Sequence, residues 1–179
     1  MMYMKPEKAK FNYTDLGDLE ILELPYKGGK VSMLILLPSE NISISVIESN
    51  LTVEKLKEWK EQMKETVLNA IYLPKFEFEK KYFLEQNLKN LGMISACDPG
   101  RADFSGMTGW KGLFIQHVIH HSYVKVNEEG TEAAGATAVI MRHVASEKIF
   151  KADHPFIFVI QQRDTGNILF IGRVVNPTK

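Results

Sequence analysis

Five histidines, one cysteine and 22 carboxylates are the groups of this chain that could do chemistry. Three of the histidines, His117, His120 and His121, crowd together, with His143 and His154 further on. Such crowding invites a metal site, but His120 and His121 are consecutive in a stretch that alternates as a strand. Successive strand side chains point to opposite faces, so the two cannot share one ion. The expected arrangement is a satisfied, buried His120 beside an exposed His121. Cys97 follows Ser95 and Ala96 near an expected helix end, with no basic neighbour to favour a thiolate, and is read as inert. The carboxylates are scattered over helical surfaces, and no pair is placed for acid–base work. Phosphate-loop, dinucleotide-loop, HExxH and GxSxG patterns are all missing from the sequence. No metal, no cofactor and no enzyme activity is expected.

The segment 128–141, EEGTEAAGATAVIM, is the unusual one. It is rich in alanine and gains β-capable residues toward its end. Continued as a strand, it puts Thr131, Ala133, Gly135, Thr137 and Val139 on one face. Glu132, Ala134, Ala136, Ala138 and Ile140 take the other, with Arg142 beyond. One face is therefore small and uncharged, while both charges lie opposite. A strand that must slide into a sheet and tuck its side chains over a packed core needs that pattern. Alanine also leads the helix scale, so a helix is the competing reading. Gly130, Gly135, Thr131, Thr137 and Val139 weigh against it.

The flanking elements must hold this segment in place. Residues 117–127 (HVIHHSYVKVN) form a long expected strand leading into it. After it, residues 155–160 and 168–172 read as two apolar arms around an Asp164-Thr165-Gly166-Asn167 turn. Both arms are apolar on both faces, so this hairpin is expected between layers. Earlier, residues 19–24 form a strand, Lys27-Gly-Gly-Lys30 a hairpin turn, and residues 31–37 (VSMLILL) a second strand ended by Pro38. Thr52 is an expected N-cap for a helix running to Glu65, with Leu56, Trp59 and Met63 inward. Residues 72–80 alternate as one half-buried strand. A second helix over 82–91, with Leu84, Leu88 and Leu91 inward, is expected to stop at Gly92. There is no βαβ rhythm, so the class is mixed α and β with antiparallel sheets.

The 179 residues, 45% hydrophobic and 25% charged, suit one globular domain. Lys+Arg and Asp+Glu both total 22, so the formal charge is zero. That balance disfavours electrostatic capture of nucleic acid or an anionic membrane. A single cysteine excludes an internal disulfide. Residues 1–11 (MMYMKPEKAKF) hold no apolar stretch of the length of a secretory core, and no apolar run approaches a membrane span. Asn12, Asn41 and Asn50 head Asn-x-Ser/Thr sequons, where composition predicts about one by chance. The excess leans toward an extracellular setting, with a cytoplasmic one as the alternative.

The stretch 126–141 (VNEEGTEAAGATAVIM) resembles the hinge of the serpins, which trap serine proteases by inserting a loop. Residues 153–158 (DHPFIF) and 168–174 (ILFIGRV) resemble that family's C-terminal signature. Residues 22–26 (LELPY), 33–38 (MLILLP), 73–76 (LPKF) and 102–107 (ADFSGM) match in the same order. The resemblance implies an α+β serpin fold of mixed and antiparallel sheets with a few helices. It also implies an exposed reactive-centre loop at about 128–150. A target protease would attack that loop as substrate through its own serine, and the cut loop would insert as a new central strand. Glu128, Glu129, Gly130, Thr131, Glu132, Ala133, Ala134, Gly135, Ala136 and Thr137 match the hinge. The family spacing places the reactive bond at Val144–Ala145, which suits an elastase-like protease. Arg142 keeps a trypsin-like target open if the register differs. His120 matches a histidine beneath the sheet opening, and Lys75 with Glu128 a charge pair at its top, both as structural support.

The family is about twice this length, and only its C-terminal half is matched, so the chain reads as a partial serpin domain over 1–179. The expectation is a truncated or split chain that lacks the N-terminal helical half and does not inhibit alone. That missing half, supplied separately, would be one partner. Non-inhibitory carrier or storage members are the runner-up, which the small, uncharged inserting face of the hinge disfavours. A remnant that self-associates through open sheet edges is the third reading.

Overall fold

The computed structural model describes residues 1–6, 9–127 and 148–177. In chain order its elements begin with β1 (Met2–Met4), β2 (Lys10–Asp15), β3 (Leu19–Pro25), β4 (Val31–Pro38), α1 (Ile44–Asn50) and α2 (Val53–Glu61). Next come β5 (Lys64–Val67), β6 (Ala70–Leu73), β7 (Phe76–Phe83), α3 (Glu85–Asn90) and α4 (Ser105–Thr108). The last are β8 (Ile119–Val126), β9 (Ile149–Lys151), β10 (Phe156–Gln162) and β11 (Ile168–Val174). They fall into two compact units, one of Met1–Phe76 with Val126–Lys179, the other Glu77–Lys125.

The first unit is built on a six-stranded sheet in the order β11-β10-β4-β3-β2-β5, antiparallel throughout. β3 and β4 form the expected hairpin. Gly28 and Gly29 take positive φ in its turn, and the Gly29 amide donates to the Tyr26 carbonyl at 2.9 Å. Alternation then sorts the side chains. Leu19 and Ile21 of β3, Leu34 and Leu36 of β4, and Ile157 and Val159 of β10 share one buried face. Helices α1 and α2 cover it with Ile47, Leu56 and Trp59. Each such side chain contributes roughly 1.5–3 kcal/mol by leaving water. Local chemistry starts both helices. The Ser43 hydroxyl accepts the Ser45 amide, and the Thr52 hydroxyl accepts the Lys55 amide at 3.1 Å. A second sheet, β1-β6-β9, pairs β1 antiparallel and β9 parallel to β6.

On the other face of the large sheet, Phe76 packs against Phe158 and Phe156, with ring centroids 5.2 and 6.1 Å away. Phe158 pairs in register with Gly172 of β11, and a Cβ at Gly172 would lie 2.7 Å from the Phe158 ring. The glycine is there for space, not for its backbone freedom. Gly172→Ala is expected to destabilise the chain by about 1–3 kcal/mol, read from urea unfolding, because Phe76 stops the ring from retreating. Parent-like stability would show that the ring has room to tilt.

The second unit holds the two-stranded sheet of β7 and β8, apart from the terminal residues Phe76 and Val126, together with α3 and α4. Cys97 and Ala102 are buried there.

The structure corrects four expectations about elements. The helix begun at Thr52 ends at Glu61, because Lys64–Val67 pairs with β2 (Lys10 opposite Val67) instead of continuing the spiral. The single strand over 72–80 is two strands, since Pro74 breaks the ladder between β6 and β7. The helix over 82–91 shrinks to Glu85–Asn90, because Tyr82 and Phe83 extend β7. Leu91, expected inward, is 84% exposed, although Gly92 does terminate the helix with φ 99°. In the C-terminal hairpin β10 is buried along most of its length. β11 is the sheet edge among the described residues, and its Ile168, Leu169, Phe170 and Ile171 are exposed while Val174 stays buried.

Candidate functional site

Two strands border the segment 128–147. β8 leads into it, and β9 follows it. The hinge residues 128–137, Arg142 and the Val144–Ala145 bond lie outside the described residues, as does the Glu128 side of the expected pairing with Lys75.

On the incoming side, β8 and β7 face each other with opposite charge and polarity. The Tyr123 hydroxyl donates to Glu77 Oε1 at 3.0 Å, and Lys125 Nζ lies 3.4 Å from Glu77 Oε2. His121 Nε2 lies 2.8 Å from Glu79 Oε1, and His117 Nδ1 2.8 Å from Glu85 Oε1. The hydrogen bond to Glu77 pushes the Tyr123 phenol up. These are exposed pairs, each contributing little on its own. His120 is exposed rather than buried, its ring stacked on Tyr82 at 6.3 Å. The reason is that β8 belongs to a two-stranded sheet, so His120 has an aromatic neighbour on the sheet but no layer above it among the described residues.

The outgoing side is fixed more firmly. Asn69 and Lys148 exchange two hydrogen bonds, Asn69 N–H to the Lys148 carbonyl at 2.8 Å and Lys148 N–H to Asn69 Oδ1 at 2.9 Å. β9 then pairs with β6, and fully buried Phe150 meets Tyr13 edge-on at 6.5 Å. The Ala152 amide donates to the Tyr72 carbonyl at 2.9 Å. Lys151 Nζ lies 2.7 Å from Asp153 Oδ2, and this pair raises the lysine's pKa and lowers the aspartate's. His154 closes the corner, with Nδ1 3.0 Å from Asp153 Oδ1 and Nε2 2.6 Å from the Pro38 carbonyl.

A polar row, not foreseen from the sequence, crosses the helix-covered face of the large sheet. Asn12 Nδ2 donates to Glu23 Oε2 at 2.6 Å, and Arg163 Nε donates to Glu23 Oε1 at 3.0 Å. Gln161 Nε2 reaches Ser32 Oγ at 3.4 Å, and Lys60 Nζ donates to Gln161 Oε1 at 2.9 Å. Burial alone would raise the Glu23 carboxyl. Hydrogen bonds from Asn12 and Ser32, with the Arg163 charge, outweigh it and hold the pKa below 4.5. The row lines an open cleft of about 610 Å³. Its signal was a charged or polar residue inside each apolar run: Glu23 in LELPY, Ser32 in VSMLILL, Gln161 after FIFVI.

Among the described residues, no group of three or more His, Cys, Asp or Glu side chains is placed to hold a metal ion. Nor is any helix among them long and apolar enough to cross a membrane.

Each unit thus contributes one strand, β8 or β9, to the ends of the segment 128–147. The family described as Serpin (serine protease inhibitor) matches residues 1–177, and the chain belongs to that family. It is 45% identical to leukocyte elastase inhibitor A of Rattus norvegicus over 186 residues, covering 99% of this chain and 48% of the relative. It is 45% identical to Serpin B8 of Bos taurus (98% and 48%) and to the leukocyte elastase inhibitor of Xenopus laevis (99% and 48%). The chain thus spans about half the length of the curated relatives it matches, and it corresponds to the C-terminal part of the serpin fold.

Proposed function

We propose that this chain carries the protease-facing part of a serine protease inhibitor and that a target protease attacks it at Val144–Ala145. The observation that carries the reading is topological. The expected bond lies in a segment tied by β8 at one end and by the Asn69–Lys148 bonds and β9 at the other. Cleavage there would leave residues 128–144 covalently joined to the chain through β8 only. A small β-branched Val144 suits an elastase-like pocket, and several relatives bear the name leukocyte elastase inhibitor. Arg142 would redirect the attack to a trypsin-like enzyme. As it stands, the polypeptide would be cut without trapping the protease, for the energetic reason argued in the Discussion. Brief incubation with elastase followed by intact-mass measurement tests the site. Pieces 1–144 and 145–179 are expected first, and a first cut elsewhere overturns the assignment.

A second reading, a self-associating remnant, is favoured by one observation. Among the described residues β11 is a sheet edge, and its residues Ile168 to Ile171 are 41–56% exposed and carry no charge. Concentration-dependent oligomers in sedimentation would support it, and a monomer across the range would exclude it. The zero net charge keeps nucleic acid and membranes off the list of proposed partners. An extracellular setting stays a proposal resting on the sequons, which cell fractionation would decide. Asn41 and Asn50 are exposed, while the Asn12 amide is engaged by Glu23.

A further inference from the structure

We propose that His154 and Asp153 form a pH-sensitive clasp that pins the corner between β9 and β10 to the end of β4, closed in mild acid and released toward alkaline pH. Both ring nitrogens of His154 face acceptors: Asp153 Oδ1 at 3.0 Å and the Pro38 carbonyl at 2.6 Å. A carbonyl can only accept, and an ionised carboxylate can only accept. A neutral imidazole carries one N–H, so it satisfies one partner and turns a lone pair toward the other. The doubly bonded state is therefore imidazolium with carboxylate.

The surroundings agree. Asp153 belongs to the same corner, Lys151 of β9 bonds the other oxygen of Asp153, and Glu40 in the turn after β4 adds negative charge. Burial pushes the His154 pKa down, but the Pro38 carbonyl and Asp153 outweigh it, so the net shift is upward from 6.5. A raised folded pKa means the stabilisation is complete below the unfolded value and is lost as pH climbs through the folded one. Asp153 sets the lower limit. Its carboxyl is held below 3.8, so the pair persists until pH falls through that lowered value.

The consequence is mechanical. β9 has three residues and, among the described residues, one parallel neighbour, β6, so the corner adds to the Asn69–Lys148 bonds and buried Phe150 in holding it. Under the inhibitor reading, on which only this last clause rests, the clasp sets the C-terminal root of the attacked segment.

The test uses the whole chain. NMR titration of the assigned His154 ring is expected to give a pKa above 6.5 in the parent and a return toward 6.5 in Asp153→Asn. Hydrogen exchange at the Ala152 amide, corrected for its intrinsic rate, is expected to lose protection as pH rises through the parent's His154 pKa. In His154→Gln that pH dependence should vanish. A parent His154 titrating at or below 6.5, or an Ala152 profile unchanged by His154→Gln, overturns the clasp. If His154→Gln fails to fold, the parent and Asp153→Asn titrations still decide. None of these readouts involves a protease, so the clasp can fail while the inhibitor reading stands, and the reverse.

Discussion

Elastase mixed with this chain is expected to consume it and remain fully active, leaving no SDS-resistant acyl complex. Trapping requires the cut segment to enter a sheet faster than water releases the acyl-enzyme. Fixing each inserted residue costs about 1–2 kcal/mol of backbone entropy. Each ladder hydrogen bond returns about 1 kcal/mol net. A strand flanked on both sides gains two ladders and buries one face, and it can come out ahead. Here β8 has β7 as its one partner among the described residues, so a strand joining its far edge would gain a single ladder and an open second edge. That balance does not drive a protease across the molecule. A gel shift of the size of chain plus protease, stable to SDS and lost with an active-site-blocked protease, would overturn the prediction. Adding a separately expressed polypeptide that matches the remaining half of the relatives is the informative companion. If it restores the complex, the missing ladder is what this chain lacks.

The parts of the fold that could be read from the sequence are those where one local signal dominates. The KGGK turn, with two glycines at positive φ, fixed the β3–β4 hairpin, and the Thr52 hydroxyl fixed the start of α2. Local signals mislead where a distant partner overrides local preference. Residues 62–65 suit a helix in isolation, but Lys64–Val67 become β5, because β2 offers an edge 51 to 57 positions away. Tyr82 and Phe83 sit in an expected helix but extend β7 beside β8. The apolar ILFI of β11 read as buried because hydrophobicity reports what a strand could bury, not whether this chain supplies the cover. The same reason places His120 in the open. At the site, the hinge residues 128–137 lie outside the described residues, so their small-residue alternation is a reading of the sequence alone. The clasp and the polar row were not legible there, since apart from the adjacent Asp153–His154 pair they join residues between 11 and 140 positions apart.

Glu23→Ala is expected to lower the unfolding free energy by about 2–3 kcal/mol, the largest effect of any single polar change in the sheet. The carboxylate is nearly buried, its side chain 10% exposed, and it is the common acceptor for Asn12 and Arg163. Removing it leaves the part-buried Asn12 amide without its protein acceptor, and an unsatisfied donor costs up to about 1–3 kcal/mol when no water replaces the acceptor. Arg163 is the mitigating partner. Its side chain is 38% exposed and can turn to water, so the loss should stay below the roughly 3–5 kcal/mol of a fully buried broken pair. Glu23→Gln keeps the shape and one acceptor oxygen but gives up the charge, and about 1 kcal/mol is expected. The pH dependence supplies an independent check. A lowered folded pKa means the carboxylate's contribution is present above its unfolded value near 4.5 and fades as pH falls through the folded one. The gap between parent and Glu23→Gln should therefore narrow in acid and stay constant from pH 6 to 8. Urea unfolding followed by the fluorescence of buried Trp59 measures both. A Glu23→Ala chain within about 0.5 kcal/mol of the parent would mean that the row is decoration on the sheet rather than one of its fastenings.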